Sequence, residues 1–138
     1  MAKHALYSEK LTLAIVKNGG VMFETHAHRI SGFLDAIEKF GDELEGASLA
    51  DRVAGKAVAL LCVYAKIKEV YAEILSKKAK AVFEENGISC EWKELVNNIL
   101  DLSKSGVCPF EKAAIGILDP KDAYRTFKTL QKSLKVCK

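Results

Sequence analysis

Long apolar runs and blocks of like charge are both missing from this sequence, and each absence excludes a class of protein. The 138 residues include 21 basic and 18 acidic side chains spread along the chain, which gives a net charge of +3. The sequence has no block of basic residues, which would be expected of a nucleic-acid-binding surface. The longest apolar run, residues 57–65, is far too short to span a bilayer. We therefore expect neither nucleic acid nor a membrane as a partner.

The four cysteines, Cys62, Cys90, Cys108 and Cys137, are far apart and form no CxxC pair. This spacing indicates neither a zinc ribbon nor a thioredoxin-type redox motif, and we expect reduced thiols. The N-terminal stretch MAKHALYSEKLTLAIVKNGG has charges interrupting every apolar run, so it does not resemble a secretory signal. The sequence therefore predicts a cytoplasmic protein.

What the sequence does contain is a globular composition, with 49% hydrophobic and 28% charged residues. A chain of 138 residues can bury one core of ordinary size but not two. It shows no internal repeat and no low-complexity linker. We expect a single domain over residues 1–138.

The first part of the chain predicts a β-hairpin followed by a helix. In LTLAIVKNGGVMFET, two β-prone runs flank Asn18, Gly19 and Gly20, and Asn-Gly supplies the positive φ angles that tight hairpin turns need. In SGFLDAIEKFG, apolar residues recur at helical spacing as far as Gly41, which suits a left-handed C-terminal cap.

The middle of the chain predicts a long central helix. In ASLADRVAGKAVALLCVYA, Ser48 can cap the amides of the first turn, and Asp51 lies three residues later, near the positive end of the helix dipole. The residues after Ala57 are apolar on nearly every side, which is typical of a buried helix. We expect this helix to begin at Ser48 and to end at about Ala65.

A strand, a helix and a strand then follow in order. KEVYAEILS predicts a strand, Ser76 can cap a helix through KKAKAVFEENG, and ISCEWKE alternates like a second strand. Such a succession favours a parallel pair joined by a right-handed crossover. Because the hairpin supplies an antiparallel part, we expect a layered α/β domain with a mixed sheet.

The last third of the chain predicts only helices. We expect a short one around residues 95–102, one from about Pro109 and a final one from Pro120. The final helix has the clearest start, because Asp119 can cap it, Pro120 suits its first position and Asp122 occupies its third.

Three stretches, LADRVAGKAVALLCVYA, KEVYAEILS and GVCPFEKA, together with the hairpin, resemble a small prokaryotic family of uncharacterised proteins. That family is known mainly as a domain of unknown function and is assigned to the cytidine deaminase-like fold. The resemblance covers roughly residues 11–130. It implies a three-layer α/β/α architecture whose mixed sheet starts with the N-terminal hairpin.

Zinc deaminases of this fold have a His or Cys ligand and a catalytic Glu at one helix start, as HAE, and PCxxC at another. Their zinc needs three protein ligands and an open position for water. The resemblance puts Ala54 at the first ligand, Lys56 at the glutamate, and Cys108 and Glu111 at the two cysteines. We therefore expect no metal, no other cofactor and no deaminase chemistry.

Cys108 and Glu111 instead indicate a site for a small polar or anionic ligand. The free amides and the dipole of a helix N-terminus favour the thiolate of Cys108. The resemblance implies that Lys56 lies across the pocket, while Glu111, one turn along the helix, can orient a group or exchange a proton. The candidate catalytic residues are Cys108, Glu111 and Lys56. The candidate ligand-binding residues are Asp51, Gly55, Lys56 and Cys108.

Each of the candidate residues also has a purely structural interpretation. Cys108 can be a small buried side chain, Glu111 a capping residue of its own helix, and Lys56 a lysine whose ammonium reaches water. The rival hypothesis is a non-catalytic oligomeric or regulatory binding module with a vestigial pocket. The sequence leaves open whether the protein is an enzyme. If it is one, we expect its catalysis to depend on a cysteine. A homo-oligomer agrees with the fold, but no sequence feature fixes its interface.

Overall fold

A computed structural model describes residues 2–8, 11–26, 30–97 and 109–136, with side chains as far as residue 133. The elements in chain order are α1 (Ala2–Ser8), β1 (Leu13–Lys17), β2 (Gly20–Thr25), α2 (Ser31–Phe40), β3 (Ser48–Ala54), α3 (Lys56–Ala65), β4 (Glu69–Ser76), α4 (Lys77–Glu85), β5 (Ser89–Val96), α5 (Pro109–Ala114) and α6 (Pro120–Val136). A 3₁₀ turn, Gly41–Leu44, follows α2. Within those ranges, no helix combines the length and the apolar character that crossing a membrane requires.

The strands form one mixed sheet in the order β2-β1-β3-β4-β5. Strand β1 runs antiparallel to both β2 and β3, whereas β3, β4 and β5 are mutually parallel. The expected α/β class and the antiparallel pair at the start of the sheet are therefore confirmed. The parallel pairing of β4 with β5 follows the strand, helix and strand order expected from the sequence.

The hairpin turn has the backbone angles that its sequence predicts. Asn18 has a φ of 53° and Gly19 a φ of 78°, both in the left-handed region that Asn and Gly tolerate best. Lys17 then pairs with Gly20 across the turn. The local sequence alone therefore fixes this hairpin.

Helices cover both faces of the sheet. On one face, α1 packs with Ala14, Val16, Ala50 and Tyr71 in a small buried cluster. The larger core joins the apolar residues of α2, α3 and α4 to the other face. Helices α5 and α6 pack on this larger core through the fully buried side chains of Phe110 and Phe127, whose ring centroids lie 6.1 Å apart.

The expected long central helix is wrong in its first half, because Ser48–Ala54 is strand β3. This strand lies in the middle of the sheet between β1 and β4. Its alanines and its aspartate have weak intrinsic strand preference, so pairing on both sides decides its conformation. Ser48 is not a helix cap, since its hydroxyl donates to Glu69 Oε1 at 2.6 Å. The helical half begins only at Lys56.

Two other predicted helix starts are confirmed by their caps. Ser76 Oγ accepts a hydrogen bond from the amide of Ala79 at 3.1 Å, and Asp119 Oδ1 accepts one from the amide of Lys121 at 3.0 Å. The helix expected around residues 95–102 is wrong at its start, because β5 continues to Val96. Its remaining part, from residue 98 onward, lies outside the described residues.

Candidate functional site at the start of α3

The carboxyl ends of β3 and β4 bring two helix starts to the same edge of the sheet. Ala54 at the end of β3 pairs with Leu75 near the end of β4. Helix α3 begins directly after Gly55, and α4 begins directly after Ser76. Open α/β sheets commonly hold their ligands at this edge, outside the carboxyl ends of the parallel strands.

The side chain of Glu111, on α5, reaches the first turn of α3. Its Oε2 accepts a hydrogen bond from the amide of Lys56 at 3.1 Å, and its Oε1 accepts one from the amide of Ala57 at 3.0 Å. The N-cap of α3 is Gly55, which has no side chain to cap the helix. Glu111 therefore satisfies two of the amides that a helix start leaves free.

The electrostatic surroundings of Glu111 combine burial with positive charge. Burial raises the pKa of its carboxyl, while the two amide bonds and the charges of Lys78 and Lys56 oppose that rise. Lys78 belongs to the first turn of α4 and Lys56 to the first turn of α3. Two lysines from two helix starts thus act on one carboxylate.

This arrangement permits two kinds of chemistry at the half-buried carboxyl of Glu111. Two fixed amides hold the group in one orientation, so it can accept a hydrogen bond from a polar ligand at a defined position. Its raised pKa also brings proton exchange closer to neutral pH. The expected proximity of Glu111 and Lys56 is observed, but the roles assigned to them stay predictions.

Asp51 lies in the core and not on the helix that the sequence predicted for it. It belongs to β3, is only 7% exposed, and accepts a hydrogen bond at Oδ1 from the amide of Val53 at 3.2 Å. Burial raises the pKa of Asp51 to about 7. The negative charge of Asp51 acts on Cys62 of α3, which is fully buried. The expected position of Asp51 in the first turn of a helix is therefore wrong.

Cys108 and Cys137 lie outside the described residues. Cys108 directly precedes Pro109, the first residue of α5, so its place in the site stays a prediction. Burial raises the pKa of both described cysteines, Cys62 and Cys90. Because the thiolate is the reactive form, neither of these two is a good candidate nucleophile.

The TM1506 family model, described as a domain of unknown function (DUF1893), matches residues 1–130. The chain belongs to the DUF1893 family. It is similar to the crystal structure of a DUF1893 family protein from Thermotoga maritima, with 26% identity and a TM-score of 0.85 over 93% of this chain and 86% of that chain. The family expected from the sequence is thus confirmed. No curated protein matches the chain.

The fold of this DUF1893 protein is also similar to that of a deaminase. The apo structure of dCMP deaminase from the cyanophage S-TIM5 matches 69% of this chain and 93% of that chain, with a TM-score of 0.50 and 16% identity. At this identity the similarity concerns the fold alone. It confirms the expected deaminase-like architecture and leaves the correspondence of individual residues a prediction.

A catalytic zinc ion does not fit the described residues of this DUF1893 chain. In the ranges that the structure describes, no three His, Cys, Asp or Glu side chains lie close enough together to hold a metal. Ala54 has no ligand atom in its side chain, and both oxygens of Glu111 accept hydrogen bonds from α3. Catalytic zinc needs three protein ligands, and these residues do not supply them.

Lys78 is the member of the site that the sequence prediction missed. It lies two residues after Ser76, which caps α4, and the sequence predicts that β4 leads into this helix. The ends of neighbouring parallel strands meet at one edge, so the start of α4 could have been placed beside that of α3. The local sequence of β3 predicts a helix, so it gives no sign that two parallel strands end side by side here.

Proposed function

We propose that this DUF1893 protein binds a small polar or anionic ligand at the start of α3, beside Lys56 and Glu111, with Cys108 supplying a thiol. One observation carries the proposal. The carboxylate of Glu111 is held by the amides of Lys56 and Ala57, and two lysines from two helix starts act on it. The two lysines supply more positive charge than the carboxylate of Glu111 neutralises, which favours an anionic group at this edge of the sheet.

The residues would divide the work according to their chemistry. The ammonium groups of Lys56 and Lys78 would pair with an anionic group of the ligand. Glu111, fixed by α3, would accept a hydrogen bond from a hydroxyl or amino group, or exchange a proton with it. Cys108 would act as a nucleophile or a proton-exchanging thiol if the protein is an enzyme. This chemistry requires no metal.

The cysteine spacing supports a cytoplasmic location for this function. A reactive thiol that directly precedes α5 needs a reducing compartment to stay free, and the CxxC-free sequence is typical of such a compartment.

Alkylation of the cysteines by iodoacetamide tests the proposal. Each cysteine is followed by peptide mass spectrometry at pH 7.5 in the folded protein. We expect Cys108 to react several times faster than Cys90, since thiolate content sets the rate, and Lys56→Ala to slow it. Lys132→Ala, an exposed lysine of α6, is the matched control and should leave the rate unchanged. If Cys108 reacts no faster than Cys90, the proposal of a reactive thiol at this site is refuted.

A second candidate function is a non-catalytic binding module, as a monomer or a homo-oligomer, with a vestigial pocket. The two hydrogen bonds of Glu111 favour it, because attaching α5 to α3 is a sufficient structural role for them. Inorganic phosphate distinguishes the two candidates. A ligand site at the start of α3 predicts that millimolar phosphate slows the alkylation of Cys108 in the wild type and not in Lys56→Ala. Alkylation that phosphate does not change in either protein favours the vestigial pocket.

A further inference from the structure

A separate cleft lies at the other end of the parallel strands, between α1 and the first residues of β3, β4 and β5. Its volume is about 350 Å³, within the range of small-molecule sites. Its polar lining residues are Lys3, Ser48, Glu69, Tyr71, Ser89 and Glu91. None of these residues belongs to the site at the start of α3, so the cleft needs its own explanation.

The ammonium of Lys3 already occupies part of this cleft. Its Nζ lies 4.7 Å from the centroid of the Tyr71 ring and 3.9 Å from Glu91 Oε2. Tyr71 and Glu91 are register partners on β4 and β5, so their side chains lie on the same face of the sheet. An aromatic face attracts an ammonium group through its quadrupole, and a carboxylate beside it adds the attraction of opposite charges.

The aromatic face and a second carboxylate are both held in place by neighbouring side chains. Tyr71 is 7% exposed, and its hydroxyl lies 2.7 Å from that of Tyr7, on α1. Glu69 Oε1 accepts a hydrogen bond from the hydroxyl of Ser48 at 2.6 Å. These groups are therefore fixed before any ligand arrives, which lowers the entropic cost of binding.

The charges of the cleft are unequal among its described lining residues. Glu69 and Glu91 supply two carboxylates, whereas Lys3 supplies one ammonium. Only Glu91 forms an ion pair with Lys3 in the described structure. The imbalance favours a ligand with more than one positive charge.

We infer that this cleft is a second binding site, which takes a small aliphatic diamine or polyamine. One ammonium of the ligand replaces that of Lys3 between the Tyr71 ring and Glu91, and another binds Glu69. Without a ligand, the ammonium of Lys3 lies between the Tyr71 ring and Glu91. The inference does not depend on the function proposed for the start of α3.

Titration with 1,4-diaminobutane at constant ionic strength tests this inference, with binding followed by amide shifts in ¹H–¹⁵N spectra. We expect shifts at Tyr71 and Glu91. Glu91→Gln should weaken binding by about twofold to fivefold, the size of one exposed ion pair. Lys3→Ala should tighten binding, because it removes the competing ammonium. Glu94→Gln, on the same strand but the opposite face, is the matched control and should change nothing.

Further variants separate recognition of the ring from effects on folding. Tyr71→Phe keeps the aromatic face and should bind within about twofold of the wild type, whereas Tyr71→Leu should lose about threefold or more. If Tyr71→Leu does not fold, the surface variants at Lys3 and Glu91 decide the question. Equal weakening by Glu91→Gln and Glu94→Gln would show non-specific attraction of cations and would overturn the inference. Weaker binding in Lys3→Ala would overturn it as well.

Discussion

Asp51→Asn is expected to remove most of the pH dependence of stability between about pH 4 and pH 7. Asp51 is a carboxyl of the central strand β3 and is 7% exposed. Burial raises its pKa from 3.8 to about 7. The folded protein therefore binds this proton more tightly than the unfolded chain does. Stability consequently falls as the pH rises through this window and stays at the lower value above it.

The size of the effect follows from the shift in pKa. The rise from 3.8 to about 7 is about three units, and each unit corresponds to about 1.4 kcal/mol. The free energy of unfolding should therefore differ by at most about 4 kcal/mol between the two ends of the window. Asparagine keeps an oxygen that can accept the hydrogen bond from the Val53 amide at 3.2 Å. The variant should accordingly be more stable than the wild type at pH 8.

Urea unfolding at a series of pH values from 4 to 8 measures this effect. Asp42→Asn, an exposed aspartate in the 3₁₀ turn after α2, is the matched control and should keep the wild-type slope. The burial of Glu111 acts in the same direction, so some slope should remain in Asp51→Asn. The reasoning is refuted if Asp51→Asn and the wild type show the same dependence of stability on pH.

Two further predictions concern the ends of α3. Lys66 caps the C-terminus of α3 with a φ of 60°, a conformation that glycine adopts without strain. Lys66→Gly should therefore raise the free energy of unfolding by about 1 kcal/mol in urea unfolding. A loss of stability would contradict this. Glu111→Ala leaves the amides of Lys56 and Ala57 without their partner, so it should lower the free energy of unfolding by about 1–3 kcal/mol. Glu85 is exposed, and Glu85→Ala should change the stability little. Equal effects of the two variants would contradict the capping role.

Local sequence predicted the elements whose signals lie within a few residues of one another. Asn18 and Gly19 predicted the hairpin turn, and Ser76 and Asp119 predicted two helix starts through their own side chains. Strand β3 was missed because its conformation depends on β1 and β4, which are distant in sequence. The small residues around Asp51 have little strand preference of their own. Short helix α1 had no sequence signal that we recognised.

Two residues of the candidate site, Lys56 and Glu111, were predicted, but the contacts between them were not. Resemblance to the family brought Lys56 and Glu111 together, whereas local reasoning placed Glu111 as a cap of its own helix. The structure shows that Glu111 caps α3, across a separation of 55 residues from Lys56. Such a contact depends on how α5 packs against α3, which no local pattern encodes. No local pattern predicts Lys78 as a member of the site either. Its charge acts on Glu111 because β3 and β4 run parallel and end side by side.

The central claim is that the carboxylate of Glu111 is held at the start of α3, at the centre of the proposed ligand site. A pH titration of the Lys56 and Ala57 amides in ¹H–¹⁵N spectra tests it most directly. We expect both amides to shift together with a midpoint above 4.5, because burial raises the pKa of Glu111 above that ordinary value. The transition should vanish in Glu111→Gln. Amides that do not titrate, or that titrate equally in Glu111→Gln, would contradict the claim.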